Sequence, residues 1–276
     1  MNKQRFSFIG LICTLLTVIM ALAWVFPIYW IASTAFKSET DTIVVPPKLL
    51  PWPPDLEAFV YVIHNSPIFR WYLNTVLVAA TVTFFSILLS LMCAYALSRL
   101  EFRGKGLIYA SLLIGFMLPF GALAIPLFMF MNSLNLVNSY LGLILPQIAA
   151  PLSVIVFKQF FDEVPRDFRD AALIDGATDI KILFAIYLPM NWSITWAMSI
   201  ITFIGTWNNF LWPLIVTNST SMLTIPVGMT QVQSAWGIAF AKTSAIAVLA
   251  SIPTAAAYLI FQKRVTQGVM AAAGLK

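Results

Sequence analysis

The chain has 276 residues, of which 60% are hydrophobic and only 10% charged, with a mean hydropathy of +0.88. A water-soluble domain is usually about 45–50% apolar and about 25% charged, so this composition excludes that class. The apolar residues also form runs longer than the ~20 residues that a membrane helix needs. The sequence therefore predicts an all-α, polytopic membrane protein. In such a protein the net charge of +5 reflects topology rather than a nucleic-acid partner.

Six membrane spans are predicted, at residues 8–31, 72–97, 107–131, 140–157, 190–216 and 243–261. The first is too long for the apolar part of a signal peptide, so we expect it to remain uncleaved. An even number of spans puts both termini on one side, and that side carries twelve Lys and Arg residues against four on the other. The positive-inside rule then places both termini in the cytoplasm.

Three parts are expected along the chain: a first span with an outer loop at 1–70, a membrane domain at 71–262 and a cytoplasmic tail at 263–276. The first outer loop carries the run VVPPKLLPWPP, which cannot be helical because its prolines lack an N–H group. The second outer loop, 217–242, is uncharged until its last residue.

Asp, Glu, Lys, Arg and His are absent from the six predicted spans. Proton- or cation-coupled carriers place such residues inside the bilayer, and an intramembrane enzyme needs an acid, a base or a metal ligand there. Gly104-Lys105 also lacks the spacing of a phosphate-binding loop. We therefore expect no enzyme activity and no proton coupling in this chain. If the chain transports anything actively, the energy must come from a partner.

The fifth predicted span carries amide and indole side chains, at Asn191, Trp196, Trp207, Asn208, Asn209 and Trp212. Amides could pair with the hydroxyls of a neutral sugar on a transport pathway, and indoles could stack on its ring. Alternatively, the tryptophans mark the membrane interface and the asparagines bond neighbouring helices. For the stretch TWNNFLWP both interpretations remain open. Adjacent residues point about 100° apart, so we expect one asparagine on a pathway and the other bonded to a neighbouring helix.

The cytoplasmic loop at 160–189 is unusually charged and rich in small residues. A first helix is expected to begin near Pro165 and to stop at Gly176. Thr178 can cap a second helix, which Pro189 would end. One stripe of the first helix contains Phe168, Ala171, Ala172 and Asp175. Small residues on a helix face let another protein approach closely, which favours a docking element over an ordinary solvated helix.

The stretch DAALIDGATDIKILFAIYLP resembles the EAA loop of ABC importer permeases, whose pattern is EAA, three residues, Gly, nine residues, Ile, one residue and Leu-Pro. The matching residues are Ala171, Ala172, Gly176, Ile186, Leu188 and Pro189. Asp170 replaces the leading Glu, while Asp175 and Ala177 match the usual Asp-Gly-Ala. TWNNFLWP, LTIPVG and the tail FQKRVTQGVMAAAGLK resemble the carbohydrate branch, the G-type permease of maltose-like systems.

This resemblance implies a type I ABC importer permease that moves a sugar or sugar derivative. Its partners would be a second homologous permease, a dimer of ATPase subunits that bind ATP and magnesium, a solute-binding protein and membrane lipid. The chain itself would hold no cofactor and no metal. The ATPase-coupling residues would be Asp170, Ala171, Ala172, Asp175, Gly176, Ala177 and Pro189.

The two outer loops would then meet the solute-binding protein, which makes Ser219 and Ser234 accessible from outside. Two alternatives are considered. The same architecture could import glycerol phosphate or another small anion, but the predicted spans offer no cation for it. A stand-alone channel or secondary carrier would leave the pattern at 160–189 unexplained. Which sugar is carried stays open at this point.

Overall fold

The structure is a computed structural model that describes residues 8–232 and 239–272. Most of these residues are helical, with no β-strand among them, which agrees with the predicted all-α class. The longer helices are α1 (Phe8–Ala35), α4 (Ile68–Arg99), α5 (Lys105–Met117), α6 (Phe120–Ser133), α8 (Pro151–Glu163), α12 (Trp192–Trp207) and α15 (Phe240–Ala272). The shorter helices are α2 (Glu39–Thr42), α3 (Glu57–Asn65), α7 (Tyr140–Ile148), α9 (Asp167–Ile174), α10 (Asp179–Ile182), α11 (Leu188–Met190), α13 (Leu211–Val216) and α14 (Ile225–Gly228).

Two helices of the described part are long and apolar enough to cross a bilayer by themselves. They are Gly10–Ala35 within α1 and Ile68–Arg99, which is α4. They correspond to the first and second predicted spans. α1 extends four residues beyond the predicted end at 31, and α4 extends beyond both predicted ends, 72 and 97. Two bent pairs of helices could each make one further span. The described helices thus give two to four clear spans by length and composition, and the predicted count of six is not confirmed.

The third and fourth predicted spans are each broken at a proline. α5 and α6 meet at 105°, and α7 and α8 meet at 40°. Leu118 precedes Pro119 and is extended, with ψ 124°, while Ala149 near Pro151 has ψ 106°. A proline ring clashes with the preceding residue in the α conformation, so the helix ends before it. The predicted spans at 107–131 and 140–157 are therefore each a bent pair of helices, and each pair could still make one span.

The fifth and sixth predicted spans also differ in extent. The fifth stops at Trp207, and a short helix, α13, follows after a break at residues 208–210. The sixth belongs to α15, which continues as a helix through the predicted tail to Ala272. Residues 233–238 and 273–276 lie outside the described residues, and with them the prediction for Ser234.

The chain divides into two compact units. The first contains residues 1–68 with 229–252, and the second contains residues 69–228 with the rest of the chain. Within the first unit, the Glu39 carboxylate accepts hydrogen bonds from the N–H groups of Ala241 and Lys242, both 3.1 Å, at the start of α15. Within the second unit, one apolar core forms around Trp212, Leu143 and Met131. A larger core lies where α4, α8 and α12 meet the segment at 160–189.

Gly228 in α14 lies very close to the ring of Trp71, and a substitution there can test this packing. A Cβ atom at position 228 would lie 2.3 Å from the ring of Trp71, which is 1% exposed and donates from Nε1 to Thr220 O at 2.8 Å. Because that ring cannot move freely, we expect Gly228→Ala to destabilise the chain by about 1–3 kcal/mol, as overpacked cores do. The measurement is the thermal unfolding midpoint of the purified protein in detergent.

Gly121→Ala provides the matched control, because a Cβ atom at position 121 meets nothing within 4 Å. This variant should unfold at or slightly above the wild-type midpoint, since alanine is the better helix former. Equal midpoints for the two variants would mean that the ring of Trp71 does not constrain position 228.

Candidate functional site

The segment at 160–189, which the resemblance predicts to couple to an ATPase and which is here called the coupling segment, contains α9 and α10. The starts of both helices and the end of α9 lie close to their predicted positions. Gly176 adopts φ +75°, a left-handed conformation that glycine tolerates. Its N–H donates to Leu173 O at 3.0 Å, and the N–H of Ala177 donates to Ala172 O at 2.9 Å. This pair of bonds is the Schellman motif that ends a helix. The predicted stop at Gly176 is therefore confirmed.

The second helix of the coupling segment is longer than predicted. Thr178 caps α10, as expected, by accepting a hydrogen bond from the N–H of Lys181. A π turn at Leu183–Tyr187 follows, and then α11, so the helical path continues through Pro189 and ends at Met190. A proline ring clashes with the carbonyl four residues earlier in a regular α-helix. The wider π turn accommodates this proline, so the helix does not end there.

Asp179 holds α9 and α10 to the end of α4. Its Oδ1 accepts a hydrogen bond from Tyr95 Oη at 2.7 Å and another from Arg169 Nε at 3.0 Å. Burial raises the pKa of Asp179, but the two hydrogen bonds and the guanidinium charge outweigh it, so the pKa lies below the ordinary value of 3.8. The hydrogen bond to Asp179 in turn raises the pKa of the Arg169 guanidinium. The carboxylate thus stays ionised at neutral pH, and its contribution is lost only as pH falls through the lowered pKa.

Arg99 forms a second attachment, one turn after Tyr95 on α4. Its side chain is 8% exposed, and Nη2 donates to the carbonyls of Phe161 and Val164 at the end of α8. A cation at a helix C-terminus also stabilises the helix dipole. The guanidinium lies 5.2 Å from the ring of Tyr187 in the π turn. The coupling segment is therefore fixed at both of its ends to α4.

Sequence reasoning missed Tyr95, Arg99 and Asp179. The spacing of Tyr95 and Arg99, four residues apart at the end of an apolar helix, is a signal that both face the same neighbour. Nothing in the sequence pairs Tyr95 with Asp179, which lies 84 positions later. That contact requires the folded chain.

The predicted coupling residues fall into two groups by exposure. Ala172 and Ala177 are half-buried and pack against the larger core. The others are exposed: Asp170, Ala171, Asp175, Gly176 and Pro189. Large apolar side chains of the segment are exposed too: Phe168, Leu173, Ile174 and Ile180. The predicted stripe therefore divides, because Ala172 faces this chain's own core whereas Ala171 is open to a partner.

Asn208 and Asn209 have different surroundings. Asn208 is exposed, and its Nδ2 donates to Ile204 O in its own helix at 3.0 Å. Asn209 Nδ2 donates to Gln147 Oε1 on α7 at 2.7 Å. This matches the expectation that one asparagine bonds a neighbouring helix, and leaves Asn208 as the candidate for a pathway.

The other predicted pathway residues lie mainly in the interior. Trp207 is 2% exposed and packs on Tyr72, and Trp212 is 0% exposed and donates from Nε1 to Gly142 O at 3.0 Å. Asn191 is 7% exposed and donates to Tyr187 O at 2.8 Å, at the junction of α11 and α12. None of these three side chains presents a surface that a solute could reach within this chain.

Trp196 lines an open groove of about 400 Å³ between α4 and α12. The groove also contains three hydroxyl side chains, but each donates to a carbonyl one turn earlier in its own helix: Thr83 to Ala79, Thr195 to Asn191 and Ser199 to Thr195. Their hydroxyl groups are thus already engaged, and the remaining lining is apolar. The groove suits an apolar occupant better than the hydroxyls of a sugar.

Comparison with known proteins identifies the class to which this fold and coupling segment belong. Residues 86–270 match the family described as binding-protein-dependent transport system inner membrane component. This match covers more than half of the chain, so the chain belongs to that family of multi-pass inner-membrane transport proteins.

Individual relatives match over almost the whole length. The chain is 32% identical to the arabinooligosaccharides transport system permease protein of Halalkalibacterium halodurans, covering 98% of each chain. It is 34% identical to the trehalose/maltose transport system permease protein of Thermococcus litoralis, covering 93% of each. In fold it is similar to a chain in the crystal structure of a bacterial ABC transporter involved in the import of the acidic polysaccharide alginate. That likeness has a TM-score of 0.83 at 23% identity and covers 95% of this chain and 98% of the other.

The attachment at Asp179 can be tested by Asp179→Asn, which removes the charge that strengthens both hydrogen bonds. We expect α9 to loosen and trypsin to cut faster at Arg166 and Lys181, because local opening exposes the backbone. The measurement is limited proteolysis of the membrane-embedded chain, followed by mass analysis of the fragments.

Asp167→Asn is the matched control, because Asp167 is an exposed carboxylate on α9 itself. It should leave the cleavage rate unchanged. If Asp179→Asn were cut no faster than Asp167→Asn, the contact with Tyr95 and Arg169 would not be what holds α9 in place.

Proposed function

We propose that this chain is a membrane permease subunit of an ATP-binding cassette importer for a sugar or sugar derivative. The observation that carries the proposal is the coupling segment, a short helix with exposed Phe168, Ala171 and Ile174 that is attached firmly to the membrane helices. A short apolar surface helix fixed in this way can receive a partner and pass its motion on. Membership of the binding-protein-dependent family supports this role.

The carbohydrate class is supported by the relatives, which are permeases for arabino-oligosaccharides and for trehalose and maltose. The absence of Lys, Arg and His from the predicted spans also favours a neutral solute over glycerol phosphate or another small anion. A stand-alone channel or secondary carrier gives the coupling segment no role. We therefore favour sugar import over both alternatives.

The remaining arrangement is part of the same proposal. Six segments cross the bilayer, some of them bent, and both termini lie in the cytoplasm with the coupling segment. The outer part at 1–70, the transport domain at 71–262 and the tail at 263–276 follow from that topology. A second permease completes the pathway, two ATPase subunits bind ATP and magnesium, and a solute-binding protein delivers the sugar. This chain needs no cofactor of its own.

The coupling mechanism follows from how α9 is attached. An ATPase that grips the exposed face of α9 moves Asp179 with it, and Asp179 is bonded to Tyr95 on α4. Arg99, also on α4, is bonded to the end of α8. Closure of the ATPases is thereby passed to two membrane helices at once, as in a rigid-body transition between two states.

Position 171 offers the sharper test of docking. Ala171→Glu places a charge on the exposed face of α9, so we expect the ATPase subunits no longer to co-purify and uptake to be lost. The amount of permease in the membrane and its thermal unfolding midpoint should stay at the wild-type level, because the substitution faces outward.

Ala172→Glu is the informative comparison, because Ala172 packs against this chain's own core. Burying an unpaired charge there should lower the unfolding midpoint as well as uptake. Gly176→Trp should likewise disturb the fold, since a side chain is strained at φ +75° although there is open space around it. An Ala171→Glu complex that keeps its ATPase and transports normally would refute docking on this face.

Asn208 and Asn209 provide the test of the pathway. Asn208→Ala should weaken the apparent affinity for the sugar about two- to tenfold, the cost of one lost hydrogen bond of roughly 0.5–1.5 kcal/mol. Assembly with the ATPase should be unchanged. Uptake of radiolabelled sugar by reconstituted vesicles over a range of sugar concentrations measures the effect.

Asn209→Ala should behave differently, because Asn209 joins Gln147 on α7. We expect less assembled complex, with the affinity of the remaining complex near that of the wild type. If Asn208→Ala had the wild-type affinity, the partner permease would carry sugar recognition at this level of the pathway.

A further inference from the structure

The run at residues 43–56, between α2 and α3, has an unusually apolar surface. It is non-helical, as its prolines predict. Its exposed apolar side chains are Ile43, Val44, Val45, Leu49, Leu50, Trp52 and Leu56, which are 39–89% exposed. Contiguous exposed apolar surface of this kind indicates an interaction site.

Hydrogen bonds place this run beside the last turns of α1 and not beyond its end. Tyr29 Oη and Ser33 Oγ both donate to Leu49 O, at 2.7 and 2.8 Å. Tyr29 lies six residues before the end of α1 at Ala35, which is about 9 Å along the helix axis. The carbonyl of Leu49 therefore lies at the level of the last two turns of the helix.

With α1 centred in the bilayer, those turns fall where the bilayer core meets the lipid headgroups. α1 has 28 residues, which gives a length of about 42 Å, whereas the hydrocarbon core is about 30 Å thick. Its described side chains are exposed along most of its length, as expected for a helix in contact with lipid. Tryptophan and tyrosine concentrate at this level of the membrane, and Trp52 is 78% exposed.

Several polar groups of the run have hydrogen-bond partners, as a water-poor setting favours. The carbonyl of Leu49 accepts two hydrogen bonds, and the carbonyl of Lys48 accepts one from Lys37 Nζ at 2.5 Å. The ammonium of Lys48 pairs with Asp41 at 2.7 Å. Backbone groups left unpaired at membrane depth would each cost several kcal/mol.

We propose that residues 43–56 form an interfacial anchor, which lies in the headgroup region next to α1 and contacts lipid. On the proposed topology this is the outer leaflet. A solute-binding protein fits the surface less well, because interfaces that form and dissolve are about as polar as the rest of a protein surface. The lipid contact of the anchor is instead continuous with that of α1, to which it is bonded.

The experiment places an environment-sensitive fluorophore on the anchor. Cysteine is introduced by Trp52→Cys or Leu50→Cys after the two native cysteines are removed as Cys13→Ser and Cys93→Ser. The labelled permease complex is reconstituted in vesicles of phosphatidylethanolamine and phosphatidylglycerol, with or without lipid that carries a nitroxide near its headgroup. Both positions should emit at shorter wavelength than in water, and nitroxide lipid should remove most of that emission.

Thr40→Cys is the control, because Thr40 is exposed on α2 between Glu39 and Asp41. Its label should emit as in water and be quenched little. Water-like, unquenched emission at positions 50 and 52 would overturn the anchor, and so would a shift that appears only when the solute-binding protein is added. Either label position decides the question if the other variant fails to assemble. The assay needs neither sugar nor ATP, so its outcome is independent of the proposed substrate.

Discussion

A helix as short as α9 does not keep its shape without contacts from outside it, and this constraint governs the coupling segment. α9 has eight residues, fewer than the ~12–15 at which an isolated helix becomes even marginally stable in water. Its order therefore comes from tertiary contacts. Asp179 supplies the central one by bonding Arg169 on α9 and Tyr95 on α4. The Schellman motif at Gly176 then sets the direction in which the chain leaves the helix.

Polar side chains that need hydrogen-bond partners organise the fifth predicted span. The indole of Trp212 bonds the carbonyl of Gly142, and the amide of Asn209 bonds Gln147. In a membrane such bonds join helices because lipid offers polar groups no alternative partner. Polar side chains in an apolar span are thus structural in most cases here. Exposure, which the sequence does not show, separates Asn208 from the rest.

The sequence predicts local features of the site well and long-range ones poorly. The stop at Gly176 and the cap at Thr178 depend on residues within a few positions, and both are confirmed. The division between Ala171 and Ala172 depends on which way α9 rolls against a distant core, so spacing alone could not reveal it. The bends at Pro119 and Pro151 show a third case. Proline signals an interruption, but not whether the chain continues in the same direction or turns.

The break after α12 gives Asn208 its importance. The helix stops at Trp207, and regular helical bonding resumes only with α13 at Leu211. Non-helical backbone at membrane depth is tolerated only where it is buried in protein or lines a water-filled cavity. On the buried side of this break, Trp212 and Asn209 form hydrogen bonds to α7. The exposed side is where Asn208 lies, so a water-filled pathway is the setting that would satisfy both its side chain and the interrupted backbone around it.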